Sequence, residues 1–384
     1  MRVLEFQAKR LLQERGIPIP KGVLVRSAGD LAGLDYPAVL KAQVPVGGRG
    51  KAGGIRVVRD VAEASRSLRE LLALSVRGHS VRVVLAEEQL AAAREFYVAV
   101  AIDRTRNAPI LLASAAGGVE IEETAKQDPT RVARRGVDLC LGPTEHAVRS
   151  LALELGLGAH ATQFRAIVEN VFTLFRDCDA TLVEINPLAL CERGLVALDA
   201  KILLDDKASF RHPELFGGLR DEQQQFAPGQ LSEAERLAEA ANLTYVALHG
   251  DIALISDGAG TGMLTLDLIQ DAGGHAASFC ELGALANAEG MQVALRVALA
   301  DPQTRVVLVS LIGGLTRMDD IAEGIAAFLR AGQGVVPIVV RMAGTKEEEG
   351  RAILHALGIA AFDDLGAAVR EAVSLTKEGP CLSS

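Results

Sequence analysis

The sequence predicts an α/β protein of two domains, an N-terminal α+β half and a C-terminal half built on a doubly wound parallel sheet. In the C-terminal half, a short apolar segment runs three times into a glycine-containing loop and then into a helical pattern. Continuous apolar strands that alternate with helices are typical of a parallel sheet covered on both faces. The length of 384 residues also exceeds one typical domain. We place the boundary near residue 235, which gives domains at 1–235 and 236–384.

Composition narrows the possible functions. Apolar residues make up 49% of the chain, with 4% aromatics and no Trp, which suits an aliphatic α/β core. A net charge of −9 argues against a nucleic-acid surface. The five cysteines form no CxxC pair, which predicts a reduced protein without a thiolate metal site. The first helix carries charges throughout and no apolar run reaches about 18 residues, so we expect a cytoplasmic protein without a signal peptide or membrane span.

The N-terminal half begins with an amphipathic helix that ends at Gly16, followed by the short strand GVLVR. Strands and helices alternate to about residue 125, and the arginine-rich segment 129–143 is irregular. A helical stretch at 146–175 leads into two adjacent strands, TLVEINPLAL and LVALDAKILL. We interpret the polar segment 205–228 as the connection between the halves, because its periodicity is weak, and 229–242 as a lead-in helix.

The segment VLKAQVPVGGRGKAGG, at 39–54, is the first candidate site. A strand at 38–41 delivers Lys41 into a glycine-rich loop that also carries Arg49 and Lys51. Glycines allow backbone N–H groups to approach a ligand closely, and fixed cations supply compensating charge. The pattern therefore predicts a polyphosphate ligand, and the alternative is a flexible basic turn.

A second candidate site lies in the predicted hairpin LVEINPLAL-CERG-LVALDAK. If the hairpin is symmetric about residues 192 and 193, Asn186 and Asp199 are cross-strand neighbours with Cβ atoms about 5 Å apart. Glu184 points to the same face because it lies two residues from Asn186. Three oxygen-bearing side chains amid apolar residues predict a hard cation, and Mg²⁺ with nucleotide phosphates fits best. The alternative is an exposed polar hairpin face.

Two loops of the second half, Asp257–Gly260 and Ile312–Thr316, each end a strand and open a helix. Helix N-termini bind anions, carboxylates included. The glycine spacing does not match the dinucleotide fingerprint, so we do not expect a nicotinamide enzyme. Tight strand–helix packing that needs glycine is an equally good interpretation of both loops.

Together these motifs identify a family resemblance. The chain resembles the β subunit of succinyl-CoA synthetase (succinate–CoA ligase), with motifs in family order across nearly all of its length. The motifs are QAKRLL, VLKAQVPVGGRGKAGG, GGVEIEE, VEINPL, LDAK, FRHP, DGAG and IGGLTRMDDIAEGI. The resemblance implies an N-terminal ATP-grasp domain and a C-terminal flavodoxin-like CoA-ligase domain. It also implies an α subunit as partner, which binds CoA and carries a transiently phosphorylated histidine.

The resemblance assigns roles to individual positions of this chain. It implies contacts to ATP or ADP by Lys41, Gly48, Arg49, Gly50, Glu87, Leu90 and Glu95. In this set Glu87 and Leu90 hold the base and Glu95 the ribose side. It implies that Asn186 and Asp199 bind Mg²⁺, in agreement with the hairpin argument, and that Glu184 orients the partner's phosphohistidine.

The same resemblance implies an acid-binding site in the second half, and here the sequence departs from the family pattern. Carboxylate binding is assigned to Asp257, Gly314, Leu315 and Thr316. Asp257 and Ser310 each replace the usual asparagine, the segment Phe279–Ala286 lacks two usual glycines, and Pro45 replaces the usual histidine beside the phosphate loop. Three alternatives follow: a succinate enzyme, a paralogue for another acid such as malate, or a nucleotide-binding subunit without ligase activity. An adenine nucleotide is favoured over guanine by overall similarity to the ADP-forming branch.

Overall fold

The computed structural model describes residues 1–119, 121–226, 231–283, 286–332 and 336–377. The chain divides into two compact units, Met1–Gln230 and Leu231–Ser384. The second unit therefore includes the whole helix Glu233–Ala240, through which the expected boundary at residue 235 would run.

The first unit combines helices with antiparallel sheets. Its helices are α1 (Glu5–Glu14), α2 (Val61–Leu72), α3 (Ile121–Gln127), α4 (Glu145–Glu154), α5 (Ala161–Asp177) and α6 (Pro213–Phe226). Its strands are β1 (Gly22–Val25), β2 (Ala38–Ala42), β3 (Ile55–Val58), β4 (Ser75–Val76), β5 (His79–Ser80), β6 (Val84–Glu88), β7 (Arg94–Asp103), β8 (Ala108–Ser114), β9 (Ala133–Gly136), β10 (Ala180–Cys191), β11 (Gly194–Ala197) and β12 (Ala200–Leu204).

Two sheets of this unit position the candidate nucleotide site. One has the strand order β1-β6-β2-β3, and the other has the order β11-β10-β7-β8-β9, with β12 also paired to β10. In the first sheet Val39 of β2 lies opposite Glu87 of β6. Lys41 is two residues along β2 from Val39, so Lys41 and Glu87 share one face of the sheet as diagonal neighbours.

The predicted connection 205–228 differs from its interpretation over residues 205–226, and its positions 227 and 228 lie outside the described residues. It contains a 3₁₀ turn, Asp206–Arg211, followed by the helix α6. Only Phe216 and Leu219 of α6 are buried in the core, so the apolar periodicity is short, and paired glycines lower the local helix propensity. Tertiary contact stabilises the helix instead, including a hydrogen bond of 2.9 Å from Gln7 Nε2 to the Leu219 carbonyl.

The second unit is the predicted parallel sheet covered by helices. Its helices are α7 (Glu233–Ala240), α8 (Ala259–Asp271), α9 (Ala288–Leu299), α10 (Met318–Arg330), α11 (Glu347–His355) and α12 (Leu365–Lys377). Its strands are β13 (Thr244–Ala247), β14 (Ile252–Ser256), β15 (Ala276–Glu281), β16 (Val306–Gly313), β17 (Ile338–Gly344) and β18 (Ala361–Phe362). The order is β13-β15-β14-β16-β17-β18, with β13 antiparallel and the other pairs parallel.

Alternation along the central strands explains the two covered faces. In β14, Ile252 and Leu254 pack with α8 and α12, whereas Ala253 and Ile255 pack with α7, α9 and α10. Both sets are fully buried, which is why the strand is apolar at these four positions. In the described part of the chain, no helix is long and apolar enough to cross a membrane.

Candidate functional site

Lys41 lies in a buried ionic network rather than facing open solvent. Its ammonium is 3.0 Å from Glu5 Oε1 and 2.9 Å from Glu87 Oε2. Lys9, from the same helix as Glu5, is 3.2 Å from Glu5 Oε1 and 2.5 Å from Glu87 Oε1. Arg49 binds Glu5 and places its NH2 group 2.9 Å from each carboxylate oxygen of Asp199. The network thus combines three cations with three carboxylates.

Electrostatic pairing explains why Glu5 and Lys41 stay charged although they are buried. Burial by itself would raise the pKa of Glu5, but Arg49, Lys41 and Lys9 together hold it well below its ordinary value. Burial likewise opposes the charge of Lys41, yet Glu5 and Glu87 raise the pKa of Lys41 overall. A buried charge is tolerated only when it is paired and hydrogen-bonded. The cations assigned to a polyphosphate are therefore held in place by carboxylates of this chain.

Glu5 and Lys9 are site residues that sequence reasoning missed. Both lie on α1, one turn apart, and their side chains are 1% and 2% exposed. A signal was present, because these charges occupy the same helix face as the buried Ala8 and Leu12. Charged residues on the core face of an amphipathic helix indicate a buried partner.

The residues assigned to the nucleotide base and ribose lie in different surroundings. Glu87 is 2% exposed, with both oxygens on Lys9, and it borders a cavity of about 190 Å³ that Pro20 and Leu85 also line. Leu90 follows the end of β6 and is half-buried, while Glu95 is exposed on β7. Of the three, the structure brings only Glu87 against Lys41.

The phosphate loop is closed by its own backbone. Ala52 N donates to the Gly48 carbonyl at 3.1 Å, and Gly54 N donates to the Arg49 carbonyl at 2.8 Å. Gly48 has φ +83, a conformation that favours glycine. Gly50 is exposed at the tip of this turn. The loop keeps Arg49 beside Asp199 while its glycines stay accessible.

The hairpin has the predicted register. Cys191 pairs with Gly194, Leu188 with Ala197 and Glu184 with Lys201. Asn186 N donates to the Asp199 carbonyl at 3.2 Å, so these two residues are cross-strand neighbours. The spacing of the two strands about the turn was sufficient to bring them together.

Glu184, Asn186 and Asp199 form an oxygen-rich patch on the hairpin, and the side chains of this patch already have partners. Asn186 Oδ1 accepts from Gly118 N at 2.8 Å, and its Nδ2 donates to the Val119 carbonyl at 3.0 Å. Burial raises the pKa of Glu184, although Lys201, 3.9 Å away, partly opposes the shift. Burial also raises the pKa of Asp199, against the effect of Arg49.

The donor set of the patch suits Mg²⁺. It offers oxygen ligands alone, and Asn186 Oδ1 keeps a second lone pair free for a cation. Among the residues described, no group of three or more His, Cys, Asp or Glu side chains is arranged to hold a metal. Mg²⁺ does not require such a cage, because it is commonly bound by one or two carboxylates together with substrate phosphates and water.

In the second unit, the two candidate acid-binding loops lie at one edge of the sheet. Asp257 follows β14 and the segment 314–316 follows β16, and these strands are parallel neighbours. Asp257 Oδ2 accepts from Ile312 N at 3.1 Å, which ties the two loops together. Burial raises the pKa of Asp257, and the effects of Ile312 N–H and Arg341 do not offset it.

The remaining positions of this half divide between the loop edge and the interior. Leu315 is 99% exposed, and the Gly314 carbonyl accepts from Thr345 Oγ1 at 2.7 Å. Thr316 lies at the same turn, half-buried. Ser310 instead is fully buried, with its Oγ 3.1 Å from Thr265 Oγ1 of α8.

The altered segment Phe279–Ala286 starts inside β15, where the ring of Phe279 packs against Gly262. Its positions 284 and 285 lie outside the described residues. Three positions in the second unit that depart from the family pattern are thus located. Asp257 lies at the sheet edge that carries the two acid-binding loops, whereas Ser310 and Phe279 lie within the strands β16 and β15.

Comparison with known proteins gives matches along the whole chain. Residues 2–190 match the ATP-grasp domain family and residues 255–375 the CoA-ligase family. Succinate–CoA ligase [ADP-forming] subunit beta of Ignicoccus hospitalis is 41% identical over 382 residues, covering 98% of this chain and 100% of that protein. The subunit of the same name from Chloroflexus aurantiacus is 41% identical over 361 residues, covering 92% and 93%.

A solved structure shares the fold at lower identity. ATP citrate lyase from Methanothrix soehngenii, in complex with citrate and coenzyme A, superimposes with a TM-score of 0.73. The match covers 97% of this chain and 99% of that chain at 21% sequence identity. The order of the two domains is therefore the same in both proteins.

Proposed function

This chain belongs to the family of ADP-forming succinate–CoA ligase beta subunits, and from that premise we propose that it binds the nucleotide and the acid in an acid–CoA ligase. The reaction interconverts an acid, CoA and ATP with the acyl-CoA, ADP and phosphate. The observation that carries the proposal is the ion pair of Arg49 with Asp199, which joins the Glu184–Asn186–Asp199 patch to the ionic network that holds Lys41. It occurs in a chain that is 41% identical to such a relative over 98% of its length.

In the nucleotide half, Lys41, Arg49 and the backbone of Gly48 and Gly50 bind the phosphates. Phosphoryl transfer needs positioning and charge neutralisation more than covalent chemistry from this subunit. The buried carboxylate network supports this role because it fixes both cations before the ligand arrives. A phosphate chain then competes with Asp199 for the Arg49 guanidinium, which releases Asp199.

Glu87 and Leu90 contact the base, and Glu95 the ribose side. The cavity beside Glu87 supports the first of these contacts, since its volume of about 190 Å³ leaves room for a flat ring system. Both oxygens of Glu87 contact Lys9, and a carboxylate oxygen has a further lone pair that can accept from an amino group of the base.

Asn186 and Asp199 hold Mg²⁺, which neutralises charge on the nucleotide phosphates. Glu184 orients a phosphohistidine supplied by the alpha subunit. The position of Glu184 supports this role, because it lies two residues from Asn186 on the same strand face and its carboxylate can accept from an imidazole N–H. CoA is bound mainly by that partner.

The second unit supplies the acid site and a partner surface. Large apolar side chains stand exposed on α8, at the end of β16 and in the loop after β16: Met263, Leu264, Ile312 and Leu315. Exposed large apolar side chains suit the core of a protein interface. They support docking of the alpha subunit beside the acid-binding loops.

The acid bound there is succinate or a hydroxylated relative such as malate. Asp257 favours the second candidate, because among the residues described no cation is paired with it, and its carboxylate can accept a hydrogen bond from a substrate hydroxyl. An ionised Asp257 repels a substrate carboxylate, whereas a protonated one does not. A subunit that retains nucleotide binding without ligase activity is the remaining alternative.

A coupled assay of the purified alpha–beta pair tests the proposal. ADP formation is measured with Mg-ATP, CoA and a series of short diacids, and again with GTP in place of ATP. We expect turnover with succinate or malate and loss of turnover in Lys41→Met, while Lys21→Met, a surface control, stays active. Mg-ATP binding without turnover of any acid would favour the non-catalytic alternative, and absence of nucleotide binding would refute the proposal.

A further inference from the structure

Arg2 has a backbone that is held firmly beside the candidate patch. It forms an antiparallel bridge with Leu203 of β12, and its carbonyl accepts from Gln223 Nε2 at 3.0 Å. On either side, Val3 N donates to the Ile202 carbonyl and Leu204 N to the Met1 carbonyl. Arg2 is thus anchored to the strand that follows Asp199.

The side chain of Arg2 extends to the phosphate loop. Its NH2 group is 3.4 Å from the position that a Cβ on Gly47 would occupy. Burial, Arg49 and Arg77 lower the pKa of Arg2, while Glu184 and Asp199 act against them. Its guanidinium therefore lies within electrostatic range of the cations Arg49 and Arg77 and of the carboxylates of Glu184 and Asp199.

Arg77 approaches the same loop from another element. It occupies the turn between β4 and β5 with φ +50, followed by Gly78 at φ +86. Two consecutive residues with positive φ make a tight hairpin turn, which restricts where the side chain can go. The Arg77 NH2 group is 3.3 Å from the position of a Cβ on Gly48.

Three guanidinium groups thus gather over the glycines of one loop. Arg49 is paired with Glu5 and Asp199, but within the described ranges no hydrogen bond or ion pair engages the guanidinium of Arg2 or of Arg77. Like charges at short range repel, so such a cluster needs an anion between its members. The planar guanidinium fork matches phosphate oxygens in geometry and charge.

We propose that Arg2 and Arg77 bind the terminal phosphate of a nucleoside triphosphate at the outer face of the Gly47–Gly50 loop. The inference rests on the proposed function and adds two binding residues to it. Arg2 decides which phosphate is bound, because its backbone is anchored to β12, the strand that follows Asp199, and its side chain reaches the loop at Gly47. That is the side where the transferred phosphoryl group meets the metal and the phosphohistidine. A diphosphate lacks this group, so the two arginines discriminate ATP from ADP.

Binding of both nucleotides to the assembled alpha–beta complex tests this assignment. Isothermal titration with Mg²⁺ and a non-hydrolysable ATP analogue, and separately with Mg-ADP, compares the wild type with Arg2→Gln and Arg77→Asn. Asparagine is chosen at position 77 because it tolerates the positive φ of the turn. Arg82→Gln is the matched control, since Arg82 is exposed in the same unit and has no partner among the residues described.

We expect each variant to bind the ATP analogue about 10- to 100-fold more weakly, the range of one lost charge-assisted hydrogen bond. The affinity of the same two variants for Mg-ADP should change less than about 3-fold. The variant Arg2→Lys should regain part of the affinity for the ATP analogue that Arg2→Gln loses, and the control Arg82→Gln should bind both nucleotides like the wild type. Equal affinities in variants and wild type, or equal losses for ATP and ADP, would overturn the inference while leaving the proposed function intact. A wild type that binds neither nucleotide would overturn both.

Discussion

Replacing Glu5 by glutamine should destabilise the first unit strongly. Glu5 is the carboxylate that contacts all three buried cations, at 3.0 Å from Lys41 and 3.2 Å from Lys9, with Arg49 also bound. The side chains of Glu5, Lys9, Lys41 and Arg49 are only 1%, 2%, 9% and 12% exposed. Glutamine keeps the shape but leaves three buried cations against two carboxylates. Loss of one partner from a buried ion pair costs about 3–5 kcal/mol.

Urea unfolding of the full chain, followed by far-UV circular dichroism, measures this loss. The matched control is Glu88→Gln, which removes a carboxylate bound to Arg193 at the surface, where the side chains are 26% and 42% exposed. We expect the control to cost less than about 1 kcal/mol, because exposed ion pairs contribute little. If Glu5→Gln unfolds within the same range as Glu88→Gln, the network does not hold the cations as argued.

The pH dependence gives an independent check of the same reasoning. The pKa of Glu5 is held well below its ordinary value, so its contribution to stability is present above the unfolded pKa of about 4.3 and is lost as the pH falls through the folded value. Acid unfolding of the wild type should therefore include a component that Glu5→Gln lacks. Parallel acid titrations of the two proteins would contradict this assignment.

Three further predictions concern single positions. Asp257→Asn should raise the midpoint of thermal unfolding at pH 7 and leave it unchanged near pH 3, which thermal melts at both pH values measure. Burial raises the pKa of Asp257, so the stability that this side chain contributes is lost as the pH rises through its folded pKa. Gly117→Ala should lower the free energy of unfolding in urea by about 1–3 kcal/mol, because the added Cβ would lie 2.6 Å from backbone atoms of β7. Gly217→Ala is the control: its Cβ would enter open space on a helix, so the free energy of unfolding should rise by about 0.5–1 kcal/mol. Arg49→Gln should increase Mn²⁺ binding in the absence of nucleotide, measured by electron paramagnetic resonance, because Asp199 loses its paired cation; unchanged binding would count against a metal at Asp199.

Local patterns were enough to predict several parts of the site. The juxtaposition of Asn186 and Asp199 followed from the hairpin, because a short turn sets the register of both strands by counting from its centre. The loops at Asp257 and Gly314 were expected at one sheet edge because parallel strands end together. The helix α6 was missed because its burial depends on contacts with α1, which no local periodicity records.

By itself, the sequence determined the two-domain α/β architecture, the glycine loop after Lys41 and the hairpin that carries the acidic patch. Each of these depends on neighbours along the chain, through strand alternation, turn spacing and backbone freedom. Only the tertiary structure decided which charges meet: Glu5 with Lys41 and Arg49, Asp199 with Arg49, and Arg2 with the phosphate loop. Coulombic pairing acts through space and becomes strong where water is excluded, so the partners are fixed by the packing of distant segments rather than by their order.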